Sequence, residues 1–114
     1  MPYLKIQINR SLPQEQSKRI AALASQRVAK ELNKPESYVM VALNDGQNLL
    51  FAGTDEPAAY LELKSIGLPS VAIRPLSKVL SSLLQEQADI DPARVYIEFT
   101  DVKGSAWGWN GGTF

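Results

Sequence analysis

Two stretches decide the fold: Tyr3-Leu4-Lys5-Ile6-Gln7-Ile8 and Tyr60-Leu61-Glu62-Leu63-Lys64. Each alternates with a period of two, which places Leu4, Ile6 and Ile8, and likewise Leu61 and Leu63, on one face of a half-buried strand. Each is followed by a helical stripe and then by another strand. After the first, Pro13 suits the first turn of a helix, where its missing N–H is harmless. Ile20, Leu23, Ala24, Val28 and Leu32 then recur at helical spacing. Asn33-Lys34-Pro35 ends that helix, because the residue before a proline avoids the helical region. Val39, Val41 and Leu43 mark the next strand. After the second stretch, Ile73, Leu76, Leu80, Leu83 and Leu84 form the stripe, with Pro75 near its start as a kink or a late beginning. Asp91-Pro92 closes the connection, and Val95, Ile97 and Phe99 alternate with Tyr96, Glu98 and Thr100.

A strand–helix–strand unit sets its strands parallel, with the helix on one face in a right-handed crossover. Using the unit twice predicts an α/β (α+β) fold, with a four-stranded mixed sheet and two helices on one face. The other face would carry Tyr3, Lys5, Gln7, Met40, Ala42, Tyr60, Glu62, Lys64, Tyr96 and Glu98. That mixture is too polar for a second core and too aromatic for a plain solvent face, so it is read as lining a wet interior between subunits. Asn44-Asp45-Gly46 is a hairpin signal, which predicts a short returning edge strand over Asn48–Phe51. The segment Trp107–Trp109 is a second candidate for capping a sheet edge.

The chain has 114 residues, one domain's worth over 1–114. Its 12 basic and 12 acidic residues balance, and no basic run supports a nucleic-acid partner. Histidine is absent, which removes the usual acid–base residue and the commonest metal ligand. Cysteine is absent too, which excludes disulfides and thiolate chemistry and fits a reducing compartment. No metal or organic cofactor site is evident. The first residues lack the basic segment and apolar run of a signal peptide, and no stretch reaches bilayer length. The expectation is a cytoplasmic protein without membrane contact, with release by a route independent of a signal peptide left open.

Without histidine, Pro2 is a candidate base if Met1 is removed. A secondary amine on a rigid ring works best when its pKa lies near the operating pH, and apolar burial or a nearby ammonium lowers an amine's pKa. Met1-Pro2 also reads as an ordinary strand start. Lys34 is placed either to bind a carboxylate beside Pro2 or to end a helix favourably with respect to its dipole. Tyr96 offers an apolar ring with a polar tip, or is an outward-facing strand tyrosine. Tyr3, Tyr38, Trp107 and Phe114 are candidate pocket walls, with packing as the alternative for each.

Met1-Pro2, Asn33-Lys34-Pro35, Glu56-Pro57, Ser65-Ile66-Gly67, Pro92-x-Arg94-Val95-Tyr96-Ile97 and Gly108-Trp109-Asn110-x-x-Thr113-Phe114 occur in this order along the chain. Together they resemble the macrophage migration inhibitory factor family of the tautomerase superfamily, over essentially the whole chain. The resemblance implies a homotrimer with active sites at subunit boundaries. It implies an isomerase acting on aromatic 2-keto acids such as phenylpyruvate and its 4-hydroxy analogue, with dopachrome derivatives as further substrates. It also implies Pro2 as the base, with Lys34, Ser65, Ile66 (through its backbone) and Tyr96 binding the substrate.

Departures from the family pattern bear on specificity. Glu98 stands where vertebrate members carry an asparagine that reaches the substrate's far end from a neighbouring subunit, and a carboxylate there favours another ring substituent. Tyr3 and Trp107 are bulkier than the family's usual residues, which predicts a narrower pocket. Ala58 and Leu61 replace the cysteines of the vertebrate Cys-x-x-Cys. A cytokine-like, receptor-binding role on the same scaffold is the competing reading, and no sequence feature supports it. A relative that has lost activity or turned hydrolytic is a third; Arg10, Arg19, Arg27, Arg74 and Arg94 occupy no assignable pocket position.

Overall fold

The computed structural model describes residues Met1–Phe114. Strand β1 (Tyr3–Ile8) leads to helix α1 (Gln14–Leu32), a 3-10 turn at Glu36–Tyr38 and strand β2 (Met40–Asn44). Strand β3 (Ala59–Ile66), helix α2 (Ser70–Ala88), a 3-10 turn at Pro92–Arg94 and strand β4 (Val95–Val102) repeat that order. The sheet runs β2-β1-β3-β4. The pairs β1·β2 and β3·β4 are parallel, while β1·β3 is antiparallel, so the two units meet at the sheet's centre.

One core lies between the sheet and the helices. Leu4, Ile6, Ile8, Leu61 and Leu63 come from the sheet and are fully buried. Ile20, Ala24 and Val28 of α1 and Leu76, Leu80, Leu83 and Leu84 of α2 meet them, also fully buried. Each helix closes on a left-handed residue, Asn33 at φ 51° and Asp89 at φ 54°. Asn and Asp tolerate that region because their short polar side chains bond locally. No helix is long and apolar enough to cross a membrane.

Three local expectations need correction. Pro13 precedes α1 rather than lying in its first turn; its carbonyl accepts the Ser17 N–H at 3.0 Å. Helix α2 starts at Ser70, so Pro75 lies inside it. The carbonyl that Pro75 leaves without a helical donor belongs to Val71, in the first turn, at a residue 83% exposed. The returning strand expected over Asn48–Phe51 is absent. Gly46 and Gln47 donate instead to the carbonyls of Arg10 and Ile8, both at 2.9 Å, and Asp45 Oδ2 accepts from the Leu12 N–H at 2.8 Å. The chain therefore leaves the sheet across the end of β1, and Phe51 pairs only with Thr54. The hairpin with primed-turn backbone lies later, where β5 (Gly108–Trp109) and β6 (Gly112–Thr113) flank Asn110 and Gly111, both at positive φ.

The segment after β2 has little regular structure, yet it is held firmly. Asn9 Nδ2 donates to the carbonyls of Leu49, Asp55 and Glu56, and its Oδ1 accepts the Ala58 N–H at 2.8 Å. The Arg94 guanidinium donates to the carbonyls of Pro57, Phe51, Thr54 and Glu56 and lies 5.1 Å from the centre of the Phe51 ring. Hydrogen bonds from a charged donor to otherwise unpaired carbonyls are worth more than neutral ones. Arg94→Ala should cost about 1–3 kcal/mol of stability. Amide hydrogen exchange should accelerate across residues 49–57 while the β1–β3 ladder stays protected; uniform acceleration would contradict a local role for the arginine.

Candidate active site

The site grows out of one end of the sheet. Pro2 is buried, and its carbonyl accepts the Met40 N–H at 3.0 Å, which ties the chain start to β2. In the antiparallel ladder Tyr3 faces Lys64; one residue further, Pro2 falls opposite Ser65. Ser65 is the one fully buried polar side chain, and a buried hydroxyl requires a partner. Lys34 supplies it. Beyond the left-handed Asn33, its backbone N–H still caps α1 through the Ala29 carbonyl at 2.9 Å. Its side chain crosses to β3, where Nζ donates to Ser65 Oγ at 2.9 Å and to the Ile66 carbonyl. The backbone of Lys34 thus ends the helix, while its ammonium lies at the end of the sheet.

Two amines share this corner. The Met1 ammonium donates to the Tyr38 carbonyl. Burial, and then the Lys34 charge, hold its pKa below the ordinary 8.0. Burial likewise lowers the Lys34 pKa from 10.5, and Asp101 acts in the opposite direction. Beside them is a cavity of about 240 Å³, lined by Met1, Tyr38, Met40, Trp107, Trp109 and Phe114 among others. Trp109 and Phe114 stack at 5.3 Å, and Tyr38 meets both edge-on at 6.4 and 6.1 Å. Such ring pairs prefer offset-stacked and edge-to-face geometry and give a stiff wall.

Of the residues singled out from sequence, Pro2, Lys34, Ser65 and Ile66 come together, with Tyr38, Trp107 and Phe114 as walls nearby. Tyr3 does not join that wall. It is half-buried and in register with Met40 and Lys64, and it is not among the residues that line the cavity. Tyr96 and Glu98 are elsewhere. Tyr96 aligns through Tyr60 with Gln7, five positions along the strands from Pro2, or about 16 Å at the usual rise per residue. Tyr96 packs at 4.8 Å on Phe51 and lines a second cavity of about 360 Å³ with Leu49, Leu50 and Tyr60. Glu98 Oε2 accepts the Tyr60 hydroxyl at 3.2 Å.

Three contributors escape the sequence reading of the site. Trp109 reads there as part of an edge-capping segment and of a family motif rather than as a pocket wall, although its Asn-Gly turn marks the hairpin that carries it. Phe51 sits in a segment assigned to a strand that does not form. Asp101 interrupts the apolar series Val95, Ile97, Phe99, and that interruption is its signal.

The macrophage migration inhibitory factor (MIF) family model matches residues 1–114. The chain is 43% identical to a macrophage migration inhibitory factor homolog of Brugia malayi, over all of this chain and 99% of that protein. It is 38% identical to macrophage migration inhibitory factor of Mus musculus, over 79% of each. The crystal structure of the homologue from Prochlorococcus marinus superposes with a TM-score of 0.93 at 34% identity, covering 98% of both chains. That from Trichinella spiralis gives 0.89 at 33% identity, covering 98% of this chain and 99% of that one.

The coupling of the two amines has a direct readout. Lys34→Met keeps the apolar stem and removes the charge that depresses the Met1 amine, so in protein retaining Met1 that amine should titrate higher, nearer 8.0. Because its folded-state pKa lies below the unfolded one, the amine costs stability at low pH; the cost disappears as pH rises through the folded value toward 8.0. Lys34→Met should flatten that dependence. An amine titration identical in both proteins, followed by NMR, would refute the coupling.

Proposed function

The chain belongs to the macrophage migration inhibitory factor family, and we propose that it is a keto–enol tautomerase of aromatic 2-keto acids such as phenylpyruvate, with Pro2 as general base once Met1 is removed. Membership of the tautomerase superfamily supports an isomerase activity. The observation that carries the finer reading is the burial of Pro2 beside Lys34, at a chain start where an amine is already held below its ordinary pKa. Removing Met1 moves the free amine one residue inward, onto a buried proline ring. Its neutral form takes a proton from the carbon next to the ketone while the carbonyl oxygen takes one up to give the enol; in the reverse direction the neutral amine accepts the enol's O–H proton and a proton returns to that carbon. Lys34 and the Ile66 backbone hold the substrate carboxylate and the charge that develops. Oriented donors in a dry site stabilise such charge with little reorganisation. Tyr38, Trp109 and Phe114 offer the aromatic ring an apolar wall.

Mass spectrometry first establishes that Met1 is gone. Ketonisation of phenylpyruvate is then compared between this protein and Pro2→Gly, which should lose about a hundredfold or more in rate. The base works only when neutral, so kcat/KM should rise with pH through a midpoint below that of an open peptide terminus. Equal rates for the two proteins would end the assignment to Pro2.

The position of Tyr96 and Glu98 supports a site completed by a neighbouring subunit of a homotrimer. Leu50, Met40 and Tyr96 are 70%, 66% and 64% exposed, a cost in apolar surface that an interface removes. β2 and β4 each have one edge unpaired in the sheet. On this reading a chain contributes Pro2 to one site and Tyr96 to another. Pro2→Gly and Tyr96→Ala, each impaired alone, should recover about a quarter of the native rate when co-expressed and randomly mixed. Absence of recovery in mixed assemblies, or a monomer by light scattering, would rule out the shared site.

A further inference from the structure

Along β4, Val95, Ile97 and Phe99 pack against the core, and the next residue on that side is an acid, Asp101. Asp101 is in register with Ser65. The β1–β3 register, continued one residue, sets Pro2 on the other side of Ser65. With strands about 4.8 Å apart, Pro2, Ser65 and Asp101 form one row spanning roughly 10 Å. The Lys34 ammonium sits on its middle member, 2.9 Å from Ser65 Oγ. Asp101 is not ion-paired at contact distance; the one such pair in the chain is Arg27 with Glu86. Its Oδ1 instead accepts the Leu68 N–H at 2.9 Å. That bond fastens the turn after β3, next to Ile66, whose carbonyl is the other partner of Lys34.

We infer that Asp101 is a positioning residue: its carboxylate, tethered to the Leu68 N–H at the end of this row, favours the charged form of Lys34, the form that binds a carboxylate substrate. The consequence for turnover rests on the tautomerase reading; the consequence for Lys34 does not. The ammonium is under opposing influences. Loss of hydration favours its neutral form, and the amine at the chain start repels it, while Asp101 opposes both. Glu36 and Tyr38 of the adjoining turn, Lys64 on the other face of β3 and Lys103 after β4 make no ion pair with it. Asp101 is therefore the acid that favours the charged form of Lys34.

Asp101→Asn tests this, because asparagine can still accept from Leu68 and removes only the charge. The titration of Lys34 is followed by NMR in lysine-labelled protein, its resonance assigned by absence in Lys34→Met. The midpoint should move to lower pH in Asp101→Asn, and equally in Asp101→Ala. A shift in the alanine variant alone would show that only the turn matters and would overturn the inference. If the asparagine variant folds poorly, Asp101→Ser removes the same charge and gives the same reading. In the enzyme assay, KM for phenylpyruvate should rise severalfold above the new midpoint while kcat holds. An unchanged KM profile would also overturn the inference. If no form of the protein, native included, turns over a keto acid, the tautomerase reading fails, and the Lys34 titration still decides the role of Asp101.

Discussion

The antiparallel pairing of β1 with β3 is the contact on which the other features depend. It joins the two strand–helix–strand units at the sheet's centre and lets Leu4, Ile6 and Ile8 share one core with Leu61 and Leu63. Its register also places Pro2 opposite Ser65. A slip of one residue would turn the apolar set of β1 toward the face carrying Lys5 and Glu62, exchanging a dry environment for a wet one. The same apolar pattern that fills the core therefore holds the candidate base against the buried hydroxyl and Lys34. The placement of Pro2 against Ser65 is a consequence of core packing rather than of the loops.

The periodic parts of this architecture are legible in the sequence. Period-two alternation locates β1 and β3, and the spacing of Ile20, Ala24, Val28 and Leu32 locates α1, because burying one face is a local demand repeated along the element. The hairpin signal at Asp45-Gly46 shows the limit. The dipeptide does mark a turn, and Gly46 has the positive φ that it suggests. The path of the chain beyond a turn is decided by where the freed donors find acceptors, and these are the carbonyls of Arg10 and Ile8, distant in sequence. Among site residues, Lys34, Ser65 and Ile66 are recognisable through family motifs, since no local rule brings a lysine after a helix to the end of a strand in the other unit. Asp101 is visible as a break in alternation, but its meaning needs the row across the sheet.

Burial explains why the corner is chemically sensitive. The ammonium of Lys34 satisfies Ser65, the only fully buried polar side chain, so its position is fixed by packing as well as by charge. An ammonium immobilised in this way loses hydration that it cannot recover by rotating into water. A second amine at the chain start feels the same loss and the repulsion of the first. Two poorly hydrated cations cannot both be comfortable, and the arrangement resolves the conflict by position. Lys34 has Asp101 on its side, while the chain-start amine has a neutral carbonyl as its hydrogen-bond partner. Burial and the Lys34 charge both favour the neutral form of the chain-start amine, while Asp101 works against the neutral form of Lys34.

The other end of the sheet is built on a different principle. The segment from Leu49 to Pro57 has almost no regular hydrogen bonding of its own, and ordering such a chain costs conformational entropy residue by residue. Asn9 and Arg94 offset that cost through main-chain groups, mostly carbonyls. Main-chain groups are the same whatever side chains the segment carries. Its path is thus set by two residues outside it, while Leu49 and Leu50 remain free to differ without moving the backbone, and Phe51 is tied to the clamp by its ring. The wall that packs on Tyr96 can change in shape and polarity at little cost to the fold, whereas buried Pro2 and Ser65 cannot change without disturbing the core.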